Sequence, residues 1–379
     1  MSDHKVVAPE LSVLRERHSS KWRRFPSDVL PLHVAEMDFQ IAEPIAARII
    51  KMTTENDLGY LGPVPEVSAA FEKFAAKRWG WQIDPRYMHL ATDVGVAVVE
   101  FLRTHAKPGE KVIINQPVYN GFHHWLEELE IELVDVPLIT GNHEYLLDLD
   151  GIEKAFAAGN RFLLLCNPHN PVGRAFSREE LTGLAALARK YDAVVLSDEI
   201  HAPLTYGEFA PYLSCGDDAA ATGVCITSSS KSWNLAGLKI AFLLAQSPEM
   251  NAKLNALPEA MHWRSSIVGA FAMAEAFENG EPWLDATLVT LKENAEHLVS
   301  ELARVLPSVK THIPEAGYLA WLDISELGLT NEEIFTKAKV ALVPGPDMGG
   351  SAYENFARFN FATSKEIITE ALERIQRAL

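Results

Sequence analysis

Cationic side chains are in short supply in this chain. Its 34 lysines and arginines stand against 51 acidic residues, a formal net charge of −17. A surface of that sign repels nucleic acid and anionic membranes, so neither is an expected partner. Cysteine is scarcer still, with Cys166, Cys215 and Cys225 alone. Their odd count and wide spacing argue against a disulfide framework or a zinc site, and no metal is expected. Cys166 and Cys225 lie in apolar runs and should act as small buried hydrophobes. No stretch of about 18 apolar residues occurs, which excludes a helical membrane span. Met1-Ser2-Asp3-His4-Lys5 has no apolar stretch behind it, so no secretory leader is expected. Internal repeats and low-complexity segments are also missing. Together these absences point to a reducing, cytoplasmic home.

What remains is ordinary globular material. The chain has 379 residues, 48% of them hydrophobic and 22% charged. That length supports a large core and two domains. The first forty residues are mixed and broken by proline, and read as an arm. Pro65 to Trp79 reads as an amphipathic helix, with Pro65 in its first turn, Val67, Phe71, Phe74 and Ala75 on one face, and Gly80 as the stop. Short apolar runs follow at Val112-Ile114, Ile131-Val136, Phe162-Cys166, Ala193-Leu196, Val224-Ile226 and Ile240-Ala245. Helical stretches separate several of them. The clearest runs from Ser177 to Tyr191, where Ser177 and Glu180 form a capping box. Such alternation implies a mostly parallel sheet covered on both faces. From about Pro248 the pattern changes to long helical stretches, roughly 249–278 and 282–305. Short strands near Gly317-Asp323 and Phe356-Phe361 follow, then a helix from Ser364. The expected division is an arm over 1–40, a large domain over 41–275 and a smaller α+β domain over 276–379.

Three polar segments fall directly after apolar runs. They are Asn167-Pro168-His169-Asn170-Pro171-Val172-Gly173, Ser197-Asp198-Glu199-Ile200-His201 and Thr227-Ser228-Ser229-Ser230-Lys231. Parallel sheets bind ligands at the carboxyl ends of their strands, which is where these segments sit. An amine, a carboxylate and an amide at strand ends suit a pyridoxal phosphate (PLP) enzyme. Each residue also has a plainer reading. Asp198 could pair with a pyridine nitrogen or serve as a loop or cap acid. The serines before Lys231 could bind a phosphate or form a simple turn. Asn170, between two prolines, could be aimed into a cleft or only complete the turn. His169 reads as a neighbour in that turn, and His201 as a candidate cofactor contact. Tyr119 could stack on a flat ring or pack in the core. Gly95 and Val96 open a helix whose free N–H groups could hold a phosphate. Arg358, in an apolar run, needs an anion, either a substrate carboxylate or a structural partner.

Taken together, these segments resemble the PLP fold-type I enzymes of the aminotransferase class I/II superfamily. The closer resemblance is to the MalY/PatB-type C–S lyases, or cystathionine β-lyases. The strings that carry it are Leu32-His33-Val34-Ala35-Glu36-Met37-Asp38-Phe39, Gly59-Tyr60, Pro117-Val118-Tyr119, Asn167 to Gly173, Ser197 to His201, Ser230 to Leu238, and Arg358-Phe359-Asn360-Phe361-Ala362. They span residues 32 to 362 in family order. The resemblance implies an aspartate aminotransferase-like α/β fold, with a mostly parallel central sheet in the large domain. It implies Lys231 as the Schiff-base lysine, Asp198 on the pyridine nitrogen, and Asn170 on the ring hydroxyl. Tyr119 would stack on the ring, and Arg358 would take the substrate carboxylate. Gly95, Val96, Ser228 and Ser230 fall where phosphate is bound, and His201 where many aminotransferases have tyrosine. Tyr60 falls where the family sends a tyrosine into the neighbouring subunit's site, implying a homodimer. Trp233, Met348 and His33 depart from the family's usual residues, the last two in ways that bear on substrate identity. Lys239 reads as solvated. The activity implied is β-elimination from cysteine thioethers. An aminotransferase, or a PLP-fold binding protein without turnover, are the alternatives.

Overall fold

The computed structural model describes residues 5–141 and 144–379. Met1 to His4, on which the expected absence of a leader partly rests, lie outside the described residues.

Seven strands form the central sheet: β1 (Met88–Ala91), β2 (Val112–Ile114), β3 (Leu133–Asp135), β4 (Phe162–Cys166), β5 (Val194–Asp198), β6 (Gly223–Thr227) and β7 (Ala241–Leu244). Their spatial order is β1-β7-β6-β5-β4-β2-β3. The β3, β2, β4, β5 and β6 ladders are parallel, and β7 runs antiparallel to both β6 and β1. The mixed sheet is therefore mostly parallel, as the sequence implies.

The strands are continuously apolar because both faces are buried. Alternate side chains divide between two cores. Ile113, Leu163, Leu165, Val195, Cys225, Phe242 and Leu244 join one. Val112, Ile114, Leu164, Leu196, Val224, Ile226 and Leu243 join the other. A period-2 split of this kind is what a pleated strand requires when helices cover both faces. Pro65–Trp79 is a helix ending on Gly80 at φ +63, and Ser177 with Glu180 caps the helix Arg178–Lys190 by the expected reciprocal bonds. All three cysteines are buried and free.

A second sheet contains β8 (Leu319–Asp323), β9 (Val343–Pro344) and β10 (Phe356–Asn360), in the order β8-β10-β9. It precedes the amphipathic helix Lys365–Arg377, whose Ile367, Ile368, Ala371, Leu372 and Ile375 are buried. The chain's early segment Leu30–Pro31 pairs in parallel with Val340–Ala341. The long helical stretch expected over 249–278 is instead three helices, Pro248–Asn255, Ala260–Trp263 and Ile267–Asn279. Pro258 and the Ser265-Ser266 pair interrupt it, since proline cannot donate to the preceding turn and Ser266 caps the next helix through Gly269 N–H. The single helix Glu281–Val305 follows.

Candidate active site

The register sets the site level. Cys166 at the end of β4 pairs with Asp198 at the end of β5, which pairs with Ile226 on β6. The three polar segments therefore leave adjacent strands at one height. Residue 358 comes from elsewhere, on β10 of the second sheet, opposite Trp321 and Val343. Tertiary packing brings Arg358 Nη1 to Asn170 Oδ1 at 3.1 Å and Nη2 to the His33 carbonyl at 2.8 Å.

Lys231 lies in the turn after β6. Its Nζ donates to the Ala35 carbonyl at 2.9 Å. Burial first, then the Arg358 guanidinium, lowers its pKa to about 8. A lysine held there is partly unprotonated near neutral pH, the condition for a nucleophile or base. Asp198 is 4% exposed. Its Oδ1 accepts from Ile200 N–H at 3.1 Å. Burial raises its carboxyl to about 7, against that hydrogen bond and the Lys231 charge. Among the described residues no cationic side chain forms an ion pair with it. A carboxylate so placed fits a cationic partner such as a protonated ring nitrogen.

Other buried polar atoms nearby also have no partner: His201 Nδ1, Ser229 Oγ, Ser232 Oγ and Arg358 Nε. Burial drops His201 to about 3, so its ring is neutral. Burial lowers Arg358 to about 10, still well above neutral pH. Asn170 Nδ2 makes no hydrogen bond within the described chain, leaving a donor beside Arg358. The ring of Tyr119 sits 5.9 Å from Trp125 and 6.4 Å from Phe122, edge-on to both. Burial raises its phenol.

The helix Val94–His105 begins beside this group. Gly95 is needed there, because a Cβ would lie 2.6 Å from the Trp125 indole nitrogen. Two expected phosphate contacts are already engaged. Val96 N–H donates to Asp93 Oδ1 at 2.8 Å, the ordinary N-cap bond. The Ser228 hydroxyl donates to the Ile240 carbonyl at 2.6 Å and accepts from Ser230 N–H at 3.0 Å. The Gly95 N–H and the Ser230 hydroxyl are not so committed. Lys239 is largely exposed, as expected, and its Nζ also reaches Asp93 Oδ2 at 3.1 Å. His169 is structural, with both ring nitrogens facing backbone carbonyls, Cys166 and Pro117. Tyr60 is 90% exposed and enters no site on its own chain.

Several residues of this region carry no sequence signal that marks them. Asn234 clamps Met37 by accepting from its N–H and donating to its carbonyl, each at 2.9 Å. Asn360 donates to the Val34 and Glu36 carbonyls at 2.6 and 2.8 Å. The Lys21 ammonium meets Asp38 at 2.8 Å, both fully buried. These contacts fix residues 33–38, the segment that presents its carbonyls to Lys231 and Arg358. Of these residues only Asn360, an amide within an apolar strand, departs from its local sequence context.

An amine, a carboxylate lacking a cation, an amide donor and a helix N-terminus at these strand ends fit PLP. This is the constellation of a fold-type I enzyme. Residues 27–375 match the family description "Aminotransferase class I and II", and the chain belongs to that family. Within it, the chain groups with the MalY/PatB-type cystathionine β-lyases. It is 36% identical to cystathionine beta-lyase of Corynebacterium glutamicum, covering 98% of this chain and 99% of that one. It is 33% identical to cystathionine beta-lyase PatB of Bacillus subtilis, covering 93% of each. Cystalysin of Treponema denticola, whose crystal structure contains pyridoxal 5′-phosphate, superposes with a TM-score of 0.91 at 26% identity, over 100% of this chain and 98% of that one.

Proposed function

We propose that the protein is a PLP-dependent C–S β-lyase acting on cysteine thioethers. The observation that carries the reading is the desolvated Lys231 amine beside an Asp198 carboxylate with no cationic partner. When bound, PLP supplies an electron sink conjugated to the substrate's Cα. Asp198 would hold the proton on the ring nitrogen. Asn170 would hold the ring hydroxyl, with His201 beside it, and Tyr119 would cover one face. Gly95 and Val96 at the helix N-terminus, with Ser228 and Ser230, would line the phosphate pocket. Of these, the Gly95 N–H and the Ser230 hydroxyl have donors to spare.

Arg358 would bind the substrate carboxylate, since its Nε has no protein partner and Asn170 fixes its orientation. Lys231 would take the Cα proton at Nζ. Loss of that proton and of the β-thiolate, with addition of one water, gives pyruvate, ammonia and a thiol. Tyr60, a 90% exposed aromatic next to the 52% exposed Leu58, supports a homodimer in which it reaches the neighbouring site. The surplus of acid groups and the three buried free thiols suit a cytoplasmic enzyme.

The test is product formation. L-cystathionine or another cysteine thioether should yield pyruvate and a thiol without any 2-oxo acid acceptor. The family description also covers aminotransferases, which share the first proton transfer. Efficient glutamate formation from alanine or aspartate plus 2-oxoglutarate, with slow pyruvate release from thioethers, would make the chain a transaminase.

A further inference from the structure

The Ala35 carbonyl receives two donors. One is Lys231 Nζ at 2.9 Å, and the other is the Tyr318 hydroxyl at 3.0 Å. Tyr318 is fully buried. Its ring lies edge-on to His201, centroids 6.0 Å apart. Its backbone is pinned on two sides. Phe361 N–H donates to the Tyr318 carbonyl at 3.0 Å, and Gly317 N–H donates to the Leu204 carbonyl at 3.0 Å. The Tyr206 hydroxyl also donates to the Gly317 carbonyl. The phenol is thus fixed, whereas the lysine stem has four rotatable carbons.

We propose that Tyr318 is a positioning residue for Lys231. Its hydroxyl shares the Ala35 carbonyl, weakens that carbonyl's hold on the ammonium, and keeps residues 34–37 in place when the amine departs. The inference rests on the reading of Lys231 as the amine that bonds PLP. A carbonyl oxygen has two lone pairs, and a second donor draws on the same electron density. A hydrogen bond accepted from an ammonium favours its charged form. Removing the hydroxyl leaves Lys231 as the carbonyl's sole side-chain donor, strengthens that bond, and moves the amine toward the protonated state. The charged or titratable groups facing Lys231 are Arg358 on β10, Asp198 on β5, Glu36 on the early segment and Lys239 beyond the turn, with the neutral His201 beside them. All are retained in Tyr318→Phe. Burial holds the phenol far above its ordinary value, so it stays a neutral donor at working pH.

The experiment follows PLP capture by the apoenzyme, which needs the unprotonated amine but no substrate. The rate of appearance of the bound-cofactor absorbance is measured against pH. In Tyr318→Phe the profile should move to higher pH, with capture near neutrality slowed about 3- to 10-fold, the range that one ordinary hydrogen bond spans. With a thioether, kcat should fall while KM stays within about twofold, as for a loss that spares ground-state binding. Incorporating 3-fluorotyrosine at 318, a stronger donor, should move the profile the opposite way, and this arm decides the matter if Tyr318→Phe does not fold. An unchanged profile in a folded variant, or shifts of the same sign in both, would overturn the proposal. Capture involves no thioether, so a failed pyruvate assay leaves this test intact. A wild-type apoenzyme that captures no PLP would instead defeat the cofactor reading itself.

Discussion

At the scale of single residues, the site is a set of polar groups held where water cannot satisfy them. Lys231→Ala should abolish turnover and the bound-cofactor absorbance while leaving far-UV circular dichroism unchanged. Borohydride reduction that fixes PLP to a different lysine would refute the assignment. Arg358→Ala should raise KM for α-amino acids roughly 10- to 150-fold, the equivalent of a charge-assisted hydrogen bond of about 1.5–3 kcal/mol, with PLP retained. Unfolding or cofactor loss would make the arginine structural. A third expectation concerns pH. Asp198 and Glu199 are both raised by burial to about 7. A carboxyl whose folded pKa exceeds its unfolded value contributes stability at low pH that is lost as pH rises through the folded pKa. The buried histidines His33, His169 and His201, lowered to about 4, 4 and 3, act with the opposite sign over part of this range. The clean comparison is therefore between variants. Apo Asp198→Asn should be more stable than the apo wild type, by a margin that widens between about pH 4 and 7 and levels off above. Thermal melts of both apoproteins read this margin, and a constant one would refute the buried-carboxylate argument.

At the scale of elements, strand ends do the aiming and turns hold the aim. The segment from Asn167 to Gly173 leaves β4 and closes on itself. His169 N–H bonds the Arg174 carbonyl at 2.6 Å, and Gly173 N–H bonds the His169 carbonyl at 2.7 Å. Gly173 has φ +69, and a Cβ there would lie 2.3 Å from Pro314 Cβ. Both the left-handed backbone and the contact require glycine. Gly173→Ala should destabilise the fold by about 1–3 kcal/mol. It should also loosen Asn170, lowering kcat/KM for thioethers more than the melting temperature alone would suggest. A variant with wild-type melting and kinetics would show that the turn tolerates the methyl. The helix Val94–His105 shows a limit of the same kind of reasoning. A glycine near its start signalled a phosphate site, yet the Asp93 cap takes Val96 N–H, so only part of the expected donor set is free.

At the scale of the whole molecule, residues 30–38 and the second sheet complete a site that the central sheet begins. Leu30–Pro31 pairs with Val340–Ala341, and this junction feeds the Ala35 and His33 carbonyls toward Lys231 and Arg358. The homodimer proposed above carries its own expectation. Tyr60→Phe should weaken PLP retention without altering the oligomer, because only the hydroxyl of the exposed ring is lost. Dialysis against phosphate followed by absorbance, alongside sedimentation velocity, checks both halves. A Tyr60 remote from every cofactor in the assembled protein would end the idea.

The sequence by itself determined the sheet and its strand ends. Continuous apolar runs, turn prolines and glycines, and helix caps act over a few residues, so their physics is visible locally. It also placed Lys231, Asp198 and Asn170 at those ends, because each polar segment directly follows an apolar run. Only the tertiary structure decided what each group meets. The Arg358–Asn170 bond joins residues 188 apart, and the Tyr318 bond to Ala35 spans 283. It also decided that Val96 and Ser228 were already engaged, and that Lys239 reaches Asp93. Hydrogen-bond satisfaction and desolvation depend on every neighbour in three dimensions. No local pattern encodes them, and that is why the chemistry's inventory could be read from the chain while its electrostatics could not.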